Sequence, residues 1–152
     1  MIADTLEQIK GMARDQALFL REKAPEMTDT EIIAEETYIP EWGQDKDYSS
    51  VAVGSPVKDY DENGISQVYG LIQPHNASYY QGSRPKDLPA LWRVKHTTDP
   101  AKAKPWVQPT STSDMYLVGE CMIWTDGLVY RSIRDTNYSP AEYAADWKIV
   151  EI

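Results

Sequence analysis

The sequence predicts a mainly β protein: two small tandem antiparallel β modules behind a helical N-terminal segment. Three observations carry this reading. The texture changes after residue 38, where prolines, glycines, aromatics and β-branched residues replace a helical periodicity. Two hairpin signals stand in that second part, Asn63-Gly64 and Asp126-Gly127, each between apolar, β-branched runs. The markers around the two hairpins recur in the same order, which is how a duplicated unit shows itself in a sequence.

Residues 1–37 read as helical. Ile2, Leu6, Ile9, Ala13 and Leu20 fall on one stripe, with Gln16 filling the remaining seam position and Met12 and Phe19 widening it. Glu7, Lys10, Arg14, Arg21 and Glu22 lie on the other face. Pro25 stops this helix. Thr28 and Glu31 have the spacing of a capping box, which opens a second, short helix through Ile32, Ile33 and Ala34. The stripe fits an oligomerisation seam or a helix packed on its own chain, and the segment is read as an anchor.

The first module spans 38–96 and the second 105–152, with 97–104 between them as a linker of Thr, Asp, Pro and alternating Ala and Lys. Copy one opens at Pro40 and Trp42, copy two at Pro105 and Trp106. Trp42 stands 12 residues before Gly54, and Trp106 stands 13 before Gly119. Three residues after each glycine comes Val57 or Met122, then the hairpin turn, then Tyr69 or Tyr130. Pro85 and Pro140 each precede a tryptophan, Trp92 or Trp147, by seven residues, and each tryptophan leads into a base and an aliphatic residue. On this spacing Val51 stands where copy two has Tyr116.

Composition narrows the function. The chain of 152 residues holds five Trp and ten Tyr but one Phe. Trp and Tyr join an apolar body to a hydrogen-bonding tip, so they serve a small core and a binding surface equally well. A formal net charge of -9 and the lack of a basic stretch argue against nucleic acid and anionic membranes as partners. The lone Cys121 sits in an apolar run and forms no intrachain disulfide. No signal peptide and no membrane span is read in the chain.

The repeated unit resembles the small carbohydrate-binding modules of the chitin-binding type 3 class, above all the copies in tailed-phage and prophage structural proteins. Tyr116 to Gly119, Gly127 with Tyr130, Tyr138 to Pro140, and Trp147 carry the resemblance in copy two. Gly54, Tyr69, Pro85 and Ala90 to Trp92 carry it in copy one. The resemblance implies a non-enzymatic virion accessory protein of head or tail fibre type, made in a bacterial cytoplasm. It implies contact with surface glycans of chitin, peptidoglycan or related cell-wall type. Other virion proteins are then expected to hold the N-terminal helix, in a homo-oligomer taken as a trimer. The alternative is a decoration or docking protein that binds no sugar.

A sugar-binding surface needs flat rings beside hydrogen-bonding groups, because sugars present CH faces and hydroxyls. Tyr138, between Asn137 and Ser139, is the first candidate. Trp124, before the Asp126-Gly127 turn, is the second. Tyr79 and Tyr80, beside Asn76 and Gln81, are the candidates of copy one. Trp106, like Trp42, fits either the core or a site. Trp92 and Trp147 read as core keystones. The two histidines, His75 and His96, have no ligand-spaced partner, and there is no cysteine cluster for zinc. Acid pairs such as Asp45 with Asp47, or Asp59 with Asp61, read as solvated turns. No catalytic residue, metal or cofactor is expected.

Overall fold

A computed structural model describes residues 23–151. It holds two sheets. Strands β1 (Pro56–Tyr60), β2 (Ser66–Leu71) and β3 (Trp92–Val94) form the first, in the order β1-β2-β3. Strands β4 (Lys104–Pro105), β5 (Cys121–Ile123), β6 (Val129–Ser132) and β7 (Trp147–Ile149) form the second, in the order β4-β5-β6-β7. All neighbours are antiparallel except β4 and β5, which run parallel.

The expected helical N-terminal segment is corrected by the structure. The described part forms only short turns: 3-10 turns at Ala24–Glu26 and Glu36–Tyr38, and between them one six-residue helix, α1 (Asp29–Ala34). The heptad stripe from Ile2 to Leu20 lies outside the described residues. The capping box does form: the Thr28 hydroxyl accepts from the Glu31 N–H, and the Glu31 carboxylate accepts from the Thr28 N–H. A helix this short is not self-supporting in water. It is held by burial, since Ile32 and Ile33 are fully buried against Ile39 and Val68 of β2.

The registers of the two sheets coincide marker for marker. Val57 faces Tyr69 as Met122 faces Tyr130. Tyr69 then faces Val94, Gly70 faces Arg93 and Leu71 faces Trp92. Tyr130 faces Ile149, Arg131 faces Lys148 and Ser132 faces Trp147 in the same way. The flanking bonds repeat as well. Gly54 N–H donates to the Leu71 carbonyl and Gly119 N–H to that of Ser132. Both glycines have positive φ, 91° and 90°, a conformation open to glycine and strained for other residues. Trp42 N–H reaches the Lys58 carbonyl as Trp106 N–H reaches that of Ile123.

One pairing taken from spacing is corrected. The counterpart of Tyr116 is Tyr48, not Val51. The Tyr48 hydroxyl accepts from the N–H of Gly43, and that of Tyr116 from the N–H of Val107, each the residue after the opening tryptophan. Each ring meets the closing tryptophan edge to face, Tyr48 on Trp92 at 5.1 Å and Tyr116 on Trp147 at 5.3 Å.

Residues 97–104, expected as a linker, lie along the second sheet. The Thr97 carbonyl accepts from Cys121 N–H at 2.7 Å, and Lys104 and Pro105 form β4. The helix α1 is tied to the first sheet by ion pairs, and the two modules touch through His96 and Gln67. Asp29 is paired with Arg93 at 2.7 Å and with Lys95 at 3.3 Å. His96 stacks on Tyr116 at 3.7 Å, and Tyr116 stacks on Trp106 at 5.1 Å. Gln67 donates to the Pro105 carbonyl at 2.6 Å. Gly70 leaves room for the Lys95 side chain, because a Cβ there would lie 2.8 Å from its Cε.

Candidate functional site

The loop after β6 places Tyr138. Its backbone is fixed on both sides: its N–H donates to the buried Thr136 hydroxyl at 3.0 Å, and its carbonyl accepts from Trp147 Nε1 at 2.8 Å. Thr136 is anchored in turn on the buried Asp146 carboxylate at 2.7 Å. Ser139 and Glu142 bond reciprocally across the following turn. A backbone held this way turns the Tyr138 ring outward, where it is 56% exposed. Tyr143, 49% exposed, stands beside it with ring centroids 6.3 Å apart and planes tilted by 51°.

The two rings border a shallow depression of about 320 Å³, lined also by Arg134, Asp135, Asn137 and Asp146. Arg134 contacts the Asp146 carboxylate at 2.9 Å and remains largely exposed. The Asn137 Oδ1 has no hydrogen-bond partner among the described residues. The depression thus combines ring faces with a guanidinium, an amide and a carboxylate, the donor and acceptor types that hydroxyl-rich ligands pair with. Tyr143 was not anticipated from the sequence. Its signal was weak, an aromatic three residues after Pro140 in a stretch that read as an ordinary turn.

The other candidates fall elsewhere. Trp106 and Trp124 are half-buried, meet edge to face at 5.8 Å, and pack on the core made by Tyr116, Met122 and Trp147. Neither lines the depression with Tyr138. Tyr79 and Tyr80 sit on the longer loop of module one. Gln44 pins that loop through the carbonyls of Ala77 and Tyr80 and the N–H of Gly82. Tyr79 is 82% exposed, while Tyr80 meets His75 edge to face at 5.6 Å. Arg84 holds the far end of the loop, gripping the Asp59 carboxylate with two bonds of 2.9 and 2.6 Å while its guanidinium lies 5.1 Å from the centre of the Trp42 ring.

Titratable groups cluster where the modules meet. Burial pushes His96 down to about 4, against the pull of its bond to the Asp114 carbonyl, so the ring is neutral near pH 7. Burial also raises Asp29, but Arg93 and Lys95 outweigh it and hold the carboxyl below its usual range. Glu120 has no cation bonded to it among the described residues, and burial pushes it up to about 7 against the pull of its bond to the Leu117 N–H.

Among the described residues no group of histidine, cysteine and carboxylate side chains is arranged to hold a metal ion, and no helix is long and apolar enough to cross a membrane. No family model, no curated protein and no solved structure matches the chain.

Proposed function

We propose that the chain is a non-enzymatic glycan-binding protein that engages a surface polysaccharide through the loop 136–143 of its second module. The observation that carries this reading is the pair Tyr138 and Tyr143, two exposed rings on a backbone anchored by buried hydrogen bonds, beside polar groups lining one depression. A pre-formed ring platform loses little conformational entropy on binding. Tyr79, on the pinned loop of module one, is a second and separate contact point. The resemblance of the repeated unit to phage and prophage modules supplies the setting, a virion accessory protein of head or tail fibre type in several copies per particle. There, weak contacts gain by multivalency.

A second reading, protein docking without sugar, is favoured by one observation. Both modules expose aliphatic residues at corresponding positions: Val53 and Val118 before the positive-φ glycine, Ile65 and Leu128 after the hairpin glycine, Ile72 and Ile133 after the central strand. Retention of the purified protein on insoluble chitin, peptidoglycan and whole cell walls separates the readings. Binding to one of them that falls at least tenfold in Tyr138→Ala supports the glycan reading. Absence of retention on all three supports docking.

A further inference from the structure

Side chains alternate along a strand, so each sheet has two faces. One face carries the aromatic core. The other carries Lys58, Val68, Gly70, Arg93 and Lys95 in module one. The matching positions in module two are Ile123, Val129, Arg131, Lys148 and Val150.

In module one this outer face is covered. Ile32 and Ile33 of α1 pack on Val68, and Asp29 pairs with Arg93 and Lys95. The Lys58 ammonium donates to the Glu36 carbonyl at 3.2 Å. A short acidic helix thus brings one carboxylate and two isoleucines to a basic, aliphatic face.

In module two the β6-β7 half of the matching face is open. The lead-in 97–104 holds no isoleucine, leucine or valine, and its Thr98 carbonyl lies against the Cys121 end, 3.8 Å from the sulfur. Val129, Arg131 and Val150 are half-buried, and Lys148 is exposed. Arg131, Lys148, Val150 and Glu151 border a depression of about 360 Å³.

The two faces carry two cations each, from different residues. Lys95 extends over Gly70, where a Cβ would stand 2.8 Å from its Cε. Module two has Arg131 in place of Gly70 and Val150 in place of Lys95. The second cation therefore returns to the same part of the face from the neighbouring strand, beside Lys148, the counterpart of Arg93. Arg131 faces Lys148 directly across the ladder, and like charges so placed oppose folding. The Cys121 thiol stands beside Arg131. Among the described residues, none of Arg131, Lys148 and Glu151 takes part in an ion pair. The duplicated frame thus sets a pair of bases on this face twice, and the chain answers it with an acid once.

We propose that the outer face of the second sheet docks a short acidic helix of another protein, built as α1 is. In α1 a carboxylate stands three and four residues before two branched aliphatics, all on one side of the helix. The partner's carboxylate would meet Arg131 and Lys148, and its aliphatics would cover Val129 and Val150. Charge complementarity selects this occupant, and module one displays its mode of seating.

The test uses the whole chain and a fluorescein-labelled peptide of residues 27–38, which contains α1 with its capping box, followed by fluorescence anisotropy. A control peptide carries Asp29→Lys and Glu31→Lys. The first peptide is expected to bind saturably, at least about tenfold more tightly than the control. Lys148→Glu is expected to weaken it at least about tenfold with the melting temperature kept or raised, because Arg131 then faces an acid. Lys148→Gln is expected to weaken it about threefold. Both variants leave Arg93 and Lys95 in place, so exchange of the peptide with α1 on module one would not respond to them. No binding at millimolar peptide, equal binding of the two peptides, or unchanged binding by both Lys148 variants overturns the proposal. Poly-glutamate that competes as well as the peptide overturns it in favour of a plain anion surface. A dimer of the parent chain that Lys148→Glu dissolves overturns it in favour of a second copy of the chain.

Discussion

Module one and module two share a frame and differ in what surrounds it. In both, a central strand pairs with the hairpin partner and with a closing strand that starts at tryptophan, and a buried tyrosine meets that tryptophan edge to face. The surroundings diverge. Trp147 Nε1 donates to the Tyr138 carbonyl, whereas among the described residues Trp92 Nε1 is buried without a partner, as are Trp42 Nε1 and His75 Nε2. Module one carries a longer loop in the place of 136–143, and among the described residues no carbonyl of it receives the indole N–H. Position 55 is serine and its counterpart 120 is glutamate. The frame fixes register and core, and the loops and edges are free to take up separate tasks.

The largest effect expected on this comparison is at Tyr116. It is buried between His96 and Trp106, and its hydroxyl holds Val107. Tyr116→Ala is expected to cost about 3 to 5 kcal/mol in urea unfolding, the scale of other aromatic deletions from a core. A loss below about 1 kcal/mol would show that the shared tyrosine is not a keystone.

The pH response is next. His96 has its folded-state pKa lowered to about 4, so its contribution is present above 6.5, the ordinary value, and is lost as pH falls through 4. Glu120 has its folded-state pKa raised to about 7, so its contribution is present below 4.5 and is lost as pH rises through 7. Between pH 4.5 and 6.5 the two oppose each other. Glu120→Gln removes one side, and its stability is expected to fall by about 2 to 3 kcal/mol from pH 6.5 to pH 4, more steeply than the parent. Parallel curves for parent and variant would mean that Glu120 does not titrate in this range.

The smallest effect sharpens the comparison most. Trp147→Phe and Trp92→Phe both shrink a buried ring, but only the first breaks a hydrogen bond and strands the Tyr138 carbonyl. Trp147→Phe is expected to cost about 1 kcal/mol more than Trp92→Phe by the same unfolding measurement. Equal costs would mean that the loop carbonyl contributes nothing to the frame.

Much of the frame was legible in the sequence. Asn63-Gly64 and Asp126-Gly127 marked hairpins that form, with positive φ at both glycines. The shared spacing from proline to tryptophan aligned Trp92 with Trp147, and the register agrees. Tyr48 was missed because it stands six residues before Gly54 while Tyr116 stands three before Gly119; loop length varies where a ring position does not. Residues 97–104 read as a linker because composition carries no trace of backbone bonds such as that from Cys121 to Thr97. The capping box at Thr28 and Glu31 was legible, but the helix it opens is one short element buried on the first sheet rather than part of a long lead-in. Tyr138 was legible as an exposed ring in a polar loop. Its partner Tyr143, and the separation of Trp106 and Trp124 from it, needed the fold.

The most direct test of the account is affinity electrophoresis in gels containing the polysaccharide that retains the protein, comparing Tyr138→Ala, Tyr143→Ala and Trp124→Ala. The account predicts that Tyr138→Ala and Tyr143→Ala each lose most of the retardation, about tenfold or more in affinity, while Trp124→Ala keeps it. Retardation that survives both tyrosine changes, or that disappears with Trp124 alone, would contradict it.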